Sequence, residues 1–180
     1  MAIRTPSQTI GPFFHVGLKW EGGEKVAFQT AGTPIVLTGR VYDGVGMPVA
    51  DALIETWQAA PDGTAPGSGA LTKASGYSRA ATDSEGRYRI ETLMPGPCAG
   101  PGGAEYAPQI HVTLFARGFL KALRTRVILA DPESARNDPL ARAAGQRAAT
   151  LIAARDPKEA GTWHWDVRLQ GNGETAFIET

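Results

Sequence analysis

The sequence predicts an all-β fold, an antiparallel β-sandwich, and three observations support this. Short apolar runs recur at intervals of about 10–15 residues, which is the spacing of strands joined by turns. The 22 glycines and 13 prolines fall mainly between those runs rather than within them. One late segment has a helical pattern. We therefore expect a sandwich with an extended N-terminal arm and one helix near the C-terminus.

The arm is predicted at residues 1–34, before a sandwich domain at 35–180. Pro6, Gly11 and Pro12 interrupt regular structure in the arm. Its apolar side chains are too numerous for a solvated tail, so we expect the arm to pack on its own core or on a partner.

Five strands are predicted within the domain from their apolar or alternating patterns, at residues 35–42, 52–57, 87–93, 108–115 and 122–129. Residues 61–76 and 94–105 are rich in glycine and proline and are predicted to be loops. A final hairpin is predicted from 162–170 and 175–179, which a Gly-Asn-Gly turn joins.

A helical insertion is predicted at about 139–154. The segment is rich in alanine and arginine, with Leu140, Ala144 and Leu151 at helical spacing. Pro157 is expected to end it, because proline cannot continue a helix.

Composition limits the possible functions. The 180 residues are 42% hydrophobic and 20% charged, which suits one globular domain. Eighteen basic residues balance eighteen acidic ones, so no charge excess favours nucleic acid or an anionic membrane surface. No apolar run approaches the roughly 18–20 residues of a spanning helix, and no signal peptide is evident. Cys98 is the sole cysteine, which suits a reducing compartment, so we expect a cytoplasmic protein.

The histidines suggest an incomplete metal site at most. His15, His111 and His164 are scattered, and the residue two positions before His111 on the same strand face is Gln109. A metal needs three or four converging ligands, whereas a lone strand histidine is more often packed and hydrogen-bonded. Cys98 could add one ligand, but a free buried cysteine usually acts as a small hydrophobe.

Two features remain as candidate binding elements, since no nucleophile elbow or phosphate-binding loop is present. Arg117 ends an apolar strand and could offer its forked donors to a carboxylate, although a surface or structural ion pair is the simpler reading. Gly11 and Pro12 would let the arm approach another surface, and Thr9 supplies a hydroxyl. The simpler alternative is an arm that covers a sheet edge.

Several segments carry a resemblance that extends over nearly the whole chain. The most specific are the N-terminal motif TPSQTIGPFF and the FARG sequence. The chain resembles intradiol ring-cleavage dioxygenases, and it does so at residues 5–18, 37–59, 81–97, 106–118 and 171–179. Within that family it is similar to alpha chains rather than to the catalytic beta chains.

The resemblance implies a missing metal centre. Catalytic chains of the family hold a non-haem Fe(III) with two tyrosines and two histidines. Here the expected His-x-His pair is Gln109-Ile110-His111, the first expected tyrosine is Cys98, and residues 58–76 contain no second tyrosine. The resemblance therefore implies a metal-free chain without catalytic residues of its own, in which Cys98, Gln109 and His111 are vestigial positions.

The resemblance further implies a partner, a beta subunit that binds the iron, with the working site at the interface. Thr9, Gly11, Pro12 and Phe13 of the arm, together with Arg117, would line the substrate pocket opposite the iron. Phe13 stands where relatives often have tyrosine, so no hydroxyl is available there. Arg117 would favour the carboxylate of a small aromatic substrate, for which the resemblance implies protocatechuate.

Two alternatives remain open from the sequence. One is a self-sufficient iron enzyme of the same fold. The other is a metal-free β-sandwich module that binds or carries a small molecule without a catalytic role.

Overall fold

Two β-sheets packed face to face form the core, which confirms the predicted sandwich. The structure is a computed structural model, and it describes residues 14–26, 30–64, 76–100 and 103–178. Within these ranges the strands are β1 (Pro34–Tyr42), β2 (Leu53–Gln58), β3 (Tyr77–Ala81), β4 (Arg87–Leu93), β5 (Cys98–Ala99), β6 (Glu105–Tyr106), β7 (Gln109–Phe115), β8 (Leu123–Ile128), β9 (Ala154–Arg155), β10 (Thr162–His164) and β11 (Val167–Arg168). The helices are α1 (Phe14–Gly17), α2 (Pro132–Asn137) and α3 (Pro139–Ala144), followed by a 3-10 helix (Gly145–Leu151).

The five predicted strands are all present, with ends that agree to within one residue. They are the longest strands of the sandwich, and their apolar periodicity is the strongest because each places alternate side chains in the core. The sequence analysis does not assign β3, whose Tyr-Ser-Arg-Ala-Ala sequence has a weak apolar pattern. It also places the short ribbon of β5 and β6 in a predicted loop.

The first sheet is built around β1. This strand pairs antiparallel with β4, and parallel with β10 and β11, so the sheet is mixed rather than wholly antiparallel. Strand β9 extends the sheet beyond β10. The second sheet has the order β3-β2-β7-β8, and all of its pairs are antiparallel. Its outer face carries the candidate site described below.

Alternate side chains of the two sheets fill the space between them. Leu37 and Ile90 of the first sheet, and Ile54, Ile110 and Leu114 of the second, are almost entirely buried in one cluster. The side chains at the intervening positions of the second sheet's strands point outward instead. The outer face of this sheet is therefore available for polar and aromatic groups.

Tyr88 ties the first sheet to the chain between β10 and β11. It is buried, and its hydroxyl donates a hydrogen bond to the carbonyl oxygen of Trp165 at 2.5 Å. Gly39 lies beside the same carbonyl, and a Cβ atom there would stand 1.9 Å from it. Glycine is therefore required at this position, because the strand passes too close to that carbonyl for any side chain.

The helix predicted at about 139–154 begins where expected but is divided. The Asp138 carboxylate accepts backbone N–H bonds at the start of α3, and α2 before it is not predicted from the sequence. Gly145 then adopts a φ of 56°, a left-handed conformation that ends α3. A 3-10 helix continues to Leu151, and the chain is extended again by Ala154. A glycine therefore overrides the helical spacing of the sequence.

The predicted C-terminal hairpin is wrong. Strands β10 and β11 each pair with β1, and no strand is assigned within residues 174–178. Thr175 instead makes local hydrogen bonds to Arg168, and Ile178 donates to the carbonyl oxygen of Arg124 at 2.7 Å. The final segment thus reaches toward β8 of the other sheet. None of the helices in the ranges given above is both long and apolar enough to cross a membrane.

Candidate functional site

A cavity of about 330 Å³ opens on the outer face of the second sheet, beside the start of β7. We call it the outer pocket. The side chains on which its chemistry depends are Trp57, Cys98, Tyr106, Gln109, His111 and Arg126. Strands β2, β7 and β8 supply its floor, and the ribbon of β5 and β6 supplies one wall.

Strand register places three of these residues in one row. Trp57 of β2 is directly opposite His111 of β7, and His111 is directly opposite Arg126 of β8. Directly opposed residues have Cβ atoms about 4.5–5.5 Å apart and share a face of the sheet. An indole, an imidazole and a guanidinium therefore lie side by side across three strands.

His111 is held in its neutral form. Burial by the surrounding protein, and then the positive charge of Arg126, lower its pKa from 6.5 to about 4. The residue as a whole remains exposed to solvent. At neutral pH the ring therefore offers one N–H donor and one lone pair rather than a second positive charge.

Gln109 places an unsatisfied polar atom at the pocket. Its side chain is 3% exposed, and its amide nitrogen lies 3.8 Å from the sulfur of Cys98. Its Oε1 is buried without a hydrogen-bond partner. Exchanging the amide's oxygen and nitrogen would only move the unsatisfied position from one atom to the other.

Arg126 contributes the positive charge of the pocket. Its guanidinium lies over the ring of Tyr106, 5.3 Å from the ring centroid. Among the described residues, its buried Nε has no hydrogen-bond partner. Within the same residues, the guanidinium forms no ion pair with a carboxylate. The pocket thus holds a cation with an unused buried N–H donor.

These residues do not fit a ferric ion. His111 is the one histidine at the pocket, with Gln109 and Cys98 at the other expected positions. In the parts of the chain that the structure describes, no cluster of three or more His, Cys, Asp or Glu side chains could hold a metal. A guanidinium beside the site would also repel a trivalent cation. Arg126 therefore adds a positive charge at a position where a metal ion would need neutral or anionic ligands.

A half-buried ion pair supports the Trp57 side of the pocket. Arg79 and Tyr77 of β3 both donate hydrogen bonds to the carboxylate of Glu55, with Nε and the hydroxyl each 2.9 Å from Oε1. Burial, and then the Glu55 carboxylate, raise the pKa of Tyr77 to about 12. The Tyr77 ring in turn packs against Trp57 at a centroid distance of 4.8 Å. Trp20, from the segment before β1, stacks on the Arg79 guanidinium.

Arg117 lies away from the outer pocket, at the other end of β7. It is six residues beyond His111, about 20 Å along an extended strand. Its guanidinium pairs with Asp51, and its side chain is 67% exposed, compared with 19% for Asp51. The structural ion pair that the sequence left as an alternative is thus present, and the exposed guanidinium retains donors for a second partner. Thr9, Gly11, Pro12 and Phe13 fall outside the part of the chain that the structure describes.

Sequence reasoning identified Gln109, His111 and Cys98 but not the roles of Trp57, Tyr106 and Arg126. The alternation of β8 places Arg126 on one strand face, yet its position beside His111 depends on the register between β7 and β8. Arg126 could have been placed beside His111 from the sequence only by predicting the register in which β7 and β8 pair.

Comparisons with known proteins agree with this fold. A family model described as Dioxygenase matches residues 21–171. The chain is 36% identical to the protocatechuate 3,4-dioxygenase alpha chain of Pseudomonas putida, over 97% of this chain and 96% of that one. It is 37% identical to the corresponding alpha chain of Burkholderia cepacia, with coverages of 98% and 97%.

Other relatives include a beta chain and a catechol dioxygenase. The protocatechuate 3,4-dioxygenase beta chain of Burkholderia cepacia is 32% identical over 82% of this chain and 68% of its own length. The crystal structure of catechol 1,2-dioxygenase from Pseudomonas arvilla C-1 superposes with a TM-score of 0.59 at 25% identity, covering 82% of this chain and 55% of that one. The protein described here is thus a member of the intradiol dioxygenase family, and over nearly its whole length it is similar to protocatechuate 3,4-dioxygenase alpha chains.

Proposed function

We propose that this chain is the iron-free alpha subunit of a protocatechuate 3,4-dioxygenase and acts together with an iron-bearing beta subunit. The observation that carries the proposal is the combination of two features. The chain matches alpha chains from end to end, while its own outer pocket has one histidine and a guanidinium where a metal would need several ligands.

The proposed complex consumes 3,4-dihydroxybenzoate and O2. The ring bond between the two hydroxyl-bearing carbons breaks, both oxygen atoms enter the product, and the product is 3-carboxy-cis,cis-muconate of the beta-ketoadipate pathway. The Fe(III) of the beta subunit would supply the oxidative chemistry. No residue of this chain is assigned to that chemistry, so the isolated chain is expected to be inactive.

The contribution proposed for this chain is to bind and orient the substrate at the interface. Arg117 is the proposed carboxylate ligand, supported by its exposure and by the donors that Asp51 leaves unused. The arm residues Thr9, Gly11, Pro12 and Phe13 are proposed to line the same pocket. A cytoplasmic location is part of the proposal, supported by the single cysteine in the sequence.

Co-expression with a candidate beta subunit tests the proposal. The chain alone should contain no stoichiometric iron and should not turn over protocatechuate. The complex should contain stoichiometric iron and should turn over protocatechuate. The beta subunit expressed alone is the matched control for iron content. Stoichiometric iron in this chain alone, with a tyrosinate-type visible absorption band, would show a self-sufficient enzyme and overturn the proposal.

The second candidate function is a metal-free binding or carrier module, and the outer pocket is the observation that favours it. If no beta subunit forms a complex with this chain and the chain alone still binds a small ligand, this candidate replaces the first.

A further inference from the structure

We propose that the outer pocket is a metal-free binding site for a small aromatic carboxylate, with Arg126 as the carboxylate partner and Gln109 as the partner of a ring hydroxyl. The site is formed by residues of this chain alone. The inference therefore goes beyond the proposed function and does not depend on it.

The charge of the ligand follows from Arg126. Arg126 is half-buried, but its Nε is buried without an acceptor, and the guanidinium has no carboxylate partner in the described part of the chain. A buried polar atom normally has a hydrogen-bond partner. A cationic or metal ligand would be repelled. A carboxylate can accept from Nε and from a terminal nitrogen together, in the forked geometry that arginine favours.

The polar substituent follows from Gln109. This amide is almost fully buried, and one of its two polar atoms lacks a partner in either orientation of the amide. A hydroxyl group can donate or accept, so it satisfies whichever atom is left over. Gln109 and Arg126 both line the pocket but lie on different strands, so a ligand must extend between them.

The aromatic body follows from the walls and the volume. Trp57 and Tyr106 present ring surfaces, and Ala59, Ala99 and Gly100 add small groups without charge. A cavity of about 330 Å³ is at the lower end of the range typical of small-molecule sites, roughly 300–1,000 Å³.

The first test uses the full wild-type chain without its partner and needs no variant. Isothermal titration is carried out with benzoate, with its neutral isostere benzamide and with 3-hydroxybenzoate. We expect benzoate to bind with a dissociation constant of about 1 mM or tighter, which is ordinary for a ligand of this size. Benzamide should bind at least about 10-fold more weakly, and the hydroxylated acid more tightly than benzoate. Equal affinity for benzoate and benzamide, or no binding of either, would overturn the inference.

The second test assigns the contacts. Arg126→Gln should weaken benzoate binding by about 10- to 100-fold, since it removes a charge-assisted hydrogen bond. Arg124→Gln is the matched control, because Arg124 lies on the same face of β8 two residues away and does not line the outer pocket. It should retain wild-type affinity within about twofold.

Gln109→Leu tests the hydroxyl partner separately. It should abolish the preference for 3-hydroxybenzoate over benzoate while leaving benzoate binding in place. An unchanged preference would show that Gln109 does not contact the hydroxyl, and unchanged binding in Arg126→Gln would remove the site altogether. These readouts are distinct from turnover, so their failure would not bear on the proposed function.

Discussion

Replacing Arg117 with alanine separates a structural role from a role in substrate binding, because the two roles predict effects of different size on different quantities. The guanidinium pairs with Asp51, but it is 67% exposed. Exposed ion pairs contribute about 0–1 kcal/mol to the free energy of unfolding, since water and salt screen the attraction. For a chain of this length, such a loss lowers the thermal midpoint by at most about 2–4 °C.

The proposed substrate role predicts a larger effect on catalysis. A charge-assisted hydrogen bond to a carboxylate is worth about 1.5–3 kcal/mol. In the complex with the beta subunit, Arg117→Ala should therefore lower kcat/KM for protocatechuate by about 10- to 100-fold. Iron content should be unchanged, because in the proposed complex the beta subunit and not this chain holds the iron.

Asp51→Asn is the matched control. It removes the same ion pair from the folded chain but leaves the guanidinium in place. Its thermal midpoint should fall by about as much as that of Arg117→Ala, whereas kcat/KM should remain within about twofold of wild type. Steady-state kinetics, iron analysis and thermal unfolding of both complexes form the assay. If the two variants have the same kcat/KM, Arg117 is a structural residue and the reasoning is refuted.

Three further predictions concern stability and protonation. Tyr88→Phe removes the donor to the Trp165 carbonyl and should cost about 1–3 kcal/mol in denaturant unfolding, so an unchanged midpoint would contradict the importance of that bond. Glu55→Gln removes a carboxylate that raises the pKa of Tyr77, so phenolate absorbance should titrate below the wild-type value of about 12; an unmoved titration would assign the shift to burial alone. Because the folded pKa of His111 is about 4 rather than 6.5, its contribution to stability is full above pH 6.5 and is lost as pH falls toward 4. Thermal midpoints of His111→Gln should therefore fall less than those of wild type between pH 7 and pH 4.5, and parallel losses in both proteins would disprove this.

Much of the fold could be predicted because strand periodicity is a local property. In β1, β4 and β7 the alternation of inward and outward side chains can be recognised from adjacent residues alone. The predicted ends of these strands therefore agree with the structure to within one residue. The helix prediction fails beyond residue 144 because its spacing is also local but weaker than one other local signal. Gly145, in a left-handed conformation, ends α3 after six residues.

The C-terminal segment shows where local patterns stop being sufficient. Residues 162–170 have the pattern of a strand, and a glycine-rich turn follows, which favours a hairpin. The structure instead pairs β10 and β11 with β1, far away in sequence. That choice depends on which partners are left after the other strands have paired, and no local pattern contains this information.

The sequence by itself determined that this is a sandwich of the intradiol dioxygenase family, and residue identities at Cys98 and Gln109 predict that metal ligands are replaced. Only the tertiary structure decided which side chains lie beside His111. The register of three strands brings Trp57, His111 and Arg126 into one row, and the ribbon beyond them closes a pocket around an unpaired guanidinium. Side-chain alternation is set within a strand, whereas such a row requires long-range hydrogen-bonded pairing, which forms only when the whole sheet assembles.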